Sequence, residues 1–102
     1  MNNDSIQFEW DEEKNIENQR KHGVSFEEGQ TVFQDPDAVV YFDEEHSEAE
    51  ERFIIVGFSI KVRIMMVVHC LKYQGETIRI ISARKAISKE IEDYEESHGS
   101  RT

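Results

Sequence analysis

One cysteine in 102 residues rules out an internal disulfide, and Cys70 lies inside the apolar run MMVVHCL, where a small core residue is the expected role rather than a nucleophile. A reducing interior suits such a chain. Close His-x-His and Cys-x-x-Cys spacings are missing, as are a glycine-rich phosphate loop and a serine-hydrolase elbow, so the common metal, nucleotide and acyl-transfer signatures do not apply. The N-terminus MNNDSIQFEW has neither the basic nor the apolar stretch of a leader, and no apolar run approaches the roughly 20 residues that span a bilayer. A cytoplasmic protein without membrane attachment is expected. Cations are also scarce: 12 Lys and Arg stand against 22 Asp and Glu, a formal charge of -10.

The cations that exist are concentrated. Residues 1–60 hold 16 acidic and 4 basic groups, residues 61–89 hold 7 basic and 1 acidic, and residues 90–102 hold 5 acidic and 1 basic. A uniformly acidic surface repels nucleic acid, but a segment of +6 between two acidic ones can build a local anion site. The length suits one compact domain spanning 1–102, with a frayed tail from about residue 97.

Periodicity gives an α+β order. Ile6–Trp10 reads as a short edge strand. DEEKNIENQRKHG then has an N-cap in Asp11, acidic residues in its first turn, basic residues in its last and Gly23 as a stop, which predicts a first helix with Ile16 as nearly its only strong apolar residue. SFEE from Ser25 has the capping-box pattern and predicts a short second helix through Phe26, Val32 and Phe33, closed near Pro36. AVVYFD, ERFIIVGFSI, RIMMVVHCLK and TIRIISAR follow with strand-like composition and short connections, predicting an antiparallel meander with a hairpin at KYQGE. RIMMVVHCL is apolar on both faces and should be central. The segment EEHSEAEE reads as a solvated loop, and SKEIEDYEES as a last helix packing through Ile91 and Tyr94.

Alternation in IRIISARKA puts Ile78, Ile80 and Ser82 on one face and Arg79, Ile81 and Ala83 on the other. Arg63, Arg79 and Arg84 are the candidate phosphate ligands, because a guanidinium keeps its charge and donates in a planar fork. Arg79 and Arg84 have opposite parity, so they can share one phosphate only if the strand breaks between them, near Ser82 or Ala83. The competing reading is that these arginines pair with carboxylates from the acid-rich loops. His69 reads as a hydrogen-bonded core histidine, His22 as a helix C-terminal group, and His46, among carboxylates, as at most a weak metal ligand.

The stretches FEWDEEKNIENQRKHGVSFEE, VFQDPDAVVYFDEEHSEAEERFIIVGFS and VVHCLKYQGETIRIISARKA together resemble the BrnT family of toxins from type II toxin-antitoxin systems. The likeness runs from Phe8 to about Tyr94 and includes Trp10, Lys14, Asn18, His22, Asp43, His46, Arg52, Arg63, Arg79, Ser82 and Arg84. Lys72 departs from it where arginine is common, and Gly29 where alanine is usual.

The resemblance implies a RelE-like fold, an antiparallel sheet with two N-terminal helices and a C-terminal helix. It also implies an endoribonuclease that inhibits translation, needs no metal or other cofactor and is neutralised by a BrnA-like ribbon-helix-helix antitoxin. Operator DNA would then be met only through that complex, with a dimer or a heterotetramer as the assembly. On this reading Arg63, Arg79 and Arg84 stabilise the scissile phosphate, His22 transfers a proton, and Lys14, Lys21, Lys72 and Lys85 hold the RNA backbone. The alternative is a non-catalytic module that binds a DNA-binding partner and tunes operon repression.

Overall fold

A computed structural model of the chain describes residues 6–99. Strand β1 (Gln7–Glu9) leads into helix α1 (Glu12–His22) and helix α2 (Phe26–Thr31), which tightens into a 3₁₀ turn at Val32–Gln34. Strands β2 (Val39–Phe42), β3 (Phe53–Phe58), β4 (Ile64–Lys72) and β5 (Thr77–Lys85) follow, and helix α3 (Ser88–Gly99) comes last. The expected tail is helical as far as Gly99, and its remaining residues lie outside those described.

All five strands form one sheet in the order β1-β5-β4-β3-β2. β2 to β5 make the expected antiparallel meander, but β1 pairs with β5 in parallel, so the sheet is mixed rather than antiparallel. Three hairpin reversals leave β5 running opposite to β2, and β1, joined to β2 through the helices, runs the same way as β5.

The helix caps follow the sequence. The Asp11 carboxylate accepts from the Glu13 and Lys14 amides, Gly23 takes the left-handed conformation (φ 73°), and the Ser25 hydroxyl accepts from the Glu28 amide. α1 nevertheless docks without apolar residues, since Ile16 is exposed while Asn15 and Asn18 are buried. Asn15 accepts from the Phe26 amide. Asn18 accepts from the Ala83 amide and donates to the Ala83 and Val24 carbonyls. It thus satisfies both backbone groups of Ala83 as a neighbouring strand would, on the stretch of β5 beyond the end of β1.

Each face of the sheet has its own core. On the side of α1 and α2, Phe26, Val32, Met65, Val67 and Ile80 are almost fully buried. On the other side Val56, Met66 and Val68 pack with Tyr94 of α3, whose hydroxyl donates to Asp35 at 2.7 Å. His69 is buried on the first side, edge-on to Phe33 and beside Phe53. Gly57 is required there by a close approach, because a Cβ would come within 2.9 Å of the Ala38 Cβ and the Asp35 carboxylate.

β5 does break where the parity of its arginines demands. Val68 pairs with Ser82 but His69 pairs with Ile80, leaving Ile81 as the extra residue of a β-bulge. Before the bulge Arg79 lies opposite Cys70, and after it Arg84 lies opposite Met66. Cys70 and Met66 share a face of β4, so the bulge brings Arg79 and Arg84 to the same side, with Ser82, and turns Ala83 into the helix-side core. Simple alternation had Ser82 with Ile78 and Ile80, and the inserted residue reverses that.

Candidate functional site

The side of the sheet that carries α3 is only partly covered by it. Beyond the helix lies a cleft of about 400 Å³ lined by Asp43, Glu45, His46, Arg52, Ile54, Met66, Val68, Ser82, Arg84 and Glu90. Four parts build it: β5 past its bulge, the floor of β3 and β4, the turn after β2, and the first turn of α3 through Glu90. That turn, expected as a plain solvated loop, winds into a 3₁₀ turn at Glu44–His46. It is tied at its base by the Asp43 amide bonding the Arg52 carbonyl at 2.9 Å and by the Ser47 hydroxyl donating to the Asp43 carbonyl.

His46 is mostly exposed, and its Nδ1 lies 3.1 and 3.2 Å from the two carboxylate oxygens of Asp43, which is nearly buried. With the proton on Nδ1 donated to Asp43, Nε2 is left with a lone pair available to the cleft, an arrangement suited to proton transfer. Arg84 donates to both oxygens of Glu90 at 3.0 and 2.9 Å. Arg52 is within 3.8 Å of Glu50, while its Nε is buried with no hydrogen-bond partner among the described residues. On the same face Lys72 is 3.5 Å from Glu50 and Arg79 donates to Glu9 at 2.9 Å. Four cations therefore share one surface, and each has a carboxylate that an incoming anion must displace.

Arg63 does not join them. It precedes β4 on the parity of Met65 and Val67, so it faces α2, where it donates through Nε and Nη2 to Glu28 at 2.7 and 2.6 Å. The Glu28 carboxylate is buried, and its hydrogen bonds from Arg63 lower its pKa against the opposing effect of burial. Glu28 was expected to return to the Ser25 backbone as the second half of a capping box. It instead receives Arg63 and the Ser59 hydroxyl.

A second crevice of about 200 Å³ runs between α1 and β5, lined by Lys14, Glu17, Asn18, Lys21, His22, Ile81 and Ser82. It gathers three of the residues singled out in the sequence, and Ser82 lines both this crevice and the larger cleft. Lys14, Lys21 and Lys85 enter no ion pair among the described residues. Sequence reasoning did not assign His46, Asp43, Arg52 or Ser82 to catalysis. The Asp-x-x-His spacing at Asp43 and His46 was the local signal, masked by the surrounding acidic residues. Among the described residues no group of three or more His, Cys, Asp or Glu side chains is set to hold a metal ion, and no helix is long and apolar enough to cross a membrane.

Residues 10–90 match the family model of the ribonuclease toxin BrnT of type II toxin-antitoxin systems. Among solved structures, the fold is similar to that of the Brucella abortus ribonuclease toxin BrnT, with 25% sequence identity and a TM-score of 0.62 over 81% of this chain and 99% of that chain. No curated protein matches the sequence.

Proposed function

Because this chain belongs to the BrnT family of type II toxin-antitoxin ribonuclease toxins, we propose that it is a metal-independent endoribonuclease acting at the cleft between β5 and the turn after β2. The observation that carries this reading is the meeting of Arg84, Arg52 and the His46–Asp43 pair around one opening. Membership in the family implies an RNA substrate and an antitoxin partner. Inhibition of translation, a BrnA-like ribbon-helix-helix antitoxin and a RelE-like ancestry of the fold are parts of the same proposal.

In the reaction we assign, His46 Nε2 takes the proton of a ribose 2′-hydroxyl, whose oxygen forms a bond to phosphorus. The bond from phosphorus to the 5′-oxygen breaks, leaving a 2′,3′-cyclic phosphate, and the departing 5′-oxygen takes up a proton. His22, in the crevice across Ser82, is the candidate donor of that proton. Arg84 and Arg52 carry the negative charge that grows on the phosphoryl oxygens once each gives up its carboxylate partner. Arg79 and Lys72 flank the cleft on one side. Lys14, Lys21 and Lys85 guide the RNA backbone past the crevice between α1 and β5 on the other. In this scheme Arg63 is an anchor for the β3–β4 hairpin rather than a phosphate ligand.

A test compares cleavage of single-stranded RNA by the wild-type chain and by Arg84→Ala and His46→Ala. Each substitution is expected to lower the rate about 100-fold or more, the scale for removing a group that stabilises transition-state charge or moves its proton. A second reading, an interaction module without catalysis, is favoured by the carboxylate partner found on every cation of the cleft. It predicts no cleavage by any of the three proteins.

A further inference from the structure

The sheet end where β3 turns into β4 displays aliphatic side chains on a backbone that is unusually well fixed. Ile60 and Val62 are 73% and 77% exposed. Around them the hairpin is nailed to α2 at three points. The Ile60 amide donates to the Thr31 hydroxyl at 2.9 Å, the Ser59 hydroxyl donates to Glu28 at 2.7 Å, and Arg63 forms its two bonds to Glu28. The loop closes internally through the Val62 amide to the Ser59 carbonyl and the Ser59 amide to the Arg63 carbonyl.

Val62 has φ 61°, a left-handed conformation that is costly for a β-branched residue and that glycine or asparagine would adopt readily. An exposed loop with no task has no reason to hold valine there. A rigid, strained turn that projects two aliphatic side chains into solvent is preorganised for docking, since little freedom remains to be lost on association.

The apolar surface extends beyond the hairpin. The Ala86 amide bonds the Ile64 carbonyl at 2.9 Å, which brings Ile87, 55% exposed, to the same end of the sheet. The carboxylates near it are already engaged, Asp35 by the Phe58 amide and Tyr94, Glu90 by Arg84 and the Ile87 amide. Lys61 and Lys85 are exposed and enter no ion pair among the described residues, Arg63 is matched by Glu28, and Lys89 by Asp93. A patch with two uncompensated lysines in a chain of charge -10 attracts an acidic segment and disfavours a second copy of the chain approaching with its own acidic surfaces.

We infer that the end formed by Ile60, Lys61, Val62, Lys85 and Ile87 is the docking surface for a segment of a different polypeptide, one with apolar side chains flanked by carboxylates. Identifying that polypeptide as the antitoxin rests on the toxin reading above. Lys85 belongs both to this surface and to the proposed RNA path, so an occupant here competes with RNA beside β5.

The test measures binding of a purified full-length BrnA-like antitoxin to the wild-type chain, Ile60→Ser, Val62→Gly and Lys61→Glu by calorimetry, with melting temperature and RNA cleavage recorded for each. Val62→Gly relieves the backbone, so it should raise the melting temperature while weakening antitoxin binding at least tenfold. A merely structural role for Val62 would not produce that opposition. Ile60→Ser and Lys61→Glu should weaken binding at least tenfold with the melting temperature and any cleavage unchanged. Binding within twofold of wild type in all three variants would overturn the inference. So would a dimer of the chain alone that the variants dissociate, since the occupant would then be a second copy. Binding is read independently of cleavage, so an inactive nuclease with these losses sinks only the catalytic reading.

Discussion

Gly29 lies within α2, where a Cβ would meet the side chains of Val67 and Ala83 at 3.4 Å, a close contact rather than a clash. Alanine there removes the backbone freedom of glycine from the unfolded chain and fits the space, so Gly29→Ala is expected to stabilise the fold by about 0.5–1 kcal/mol. A thermal melt checks this, and a lower midpoint would show that Val67 and Ala83 cannot yield. His69 sets a pH limit. Burial among Phe33 and Phe53 lowers its pKa below the usual 6.5, opposed only by the Val67 carbonyl. As pH falls through about 6.5 the unfolded chain gains a proton on this side chain that the folded chain resists, so stability drops on acidification. Melting temperatures between pH 7 and 5 should fall more steeply for the wild type than for His69→Gln, and equal slopes would contradict the assignment.

Among the elements, the β3–β4 hairpin and the bulged strand β5 show what local sequence can and cannot tell. Helices α1 and α2, the four-strand meander and the turn at KYQGE are all written in caps and periodicity, and each forms near its expected bounds. The bulge at Ile81 was legible only as a condition, that Arg79 and Arg84 could not share a face without a break. No single residue between them announces it, because the extra residue is chosen by pairing with β4. The partner of Glu28 was not legible either, since Ser25 and Glu28 satisfy a local capping pattern while Arg63 is 35 residues away. Parity puts Arg63 on the face of Met65 and Val67, but does not say which face the helices cover. If Arg63 is an anchor, Arg63→Ala leaves the buried Glu28 carboxylate with only Ser59 to meet it and should lower stability. Denaturant unfolding measures that loss. Cleavage per folded molecule should stay within a few-fold of wild type, and a hundredfold loss in fully folded protein would return Arg63 to the catalytic set.

For the molecule as a whole, charge and topology have to be read together. A net charge of -10 argues against RNA, yet the fold turns Arg52, Lys72, Arg79 and Arg84 to one side of the sheet and leaves Lys14, Lys21 and Lys85 without ion pairs among the described residues beside β5. Carboxylates contact each cation of the cleft, so the anion site is local and partly masked. The family match fixes the class of the protein, while the roles proposed for individual residues rest on geometry alone. The most direct test incubates the purified chain with single-stranded RNA in the presence of a chelator and identifies the new ends. The account predicts 2′,3′-cyclic phosphate and 5′-hydroxyl ends, with cleavage falling about 100-fold or more in Arg84→Ala. Absence of cleavage by the wild-type chain, or cleavage undiminished in Arg84→Ala, would contradict it.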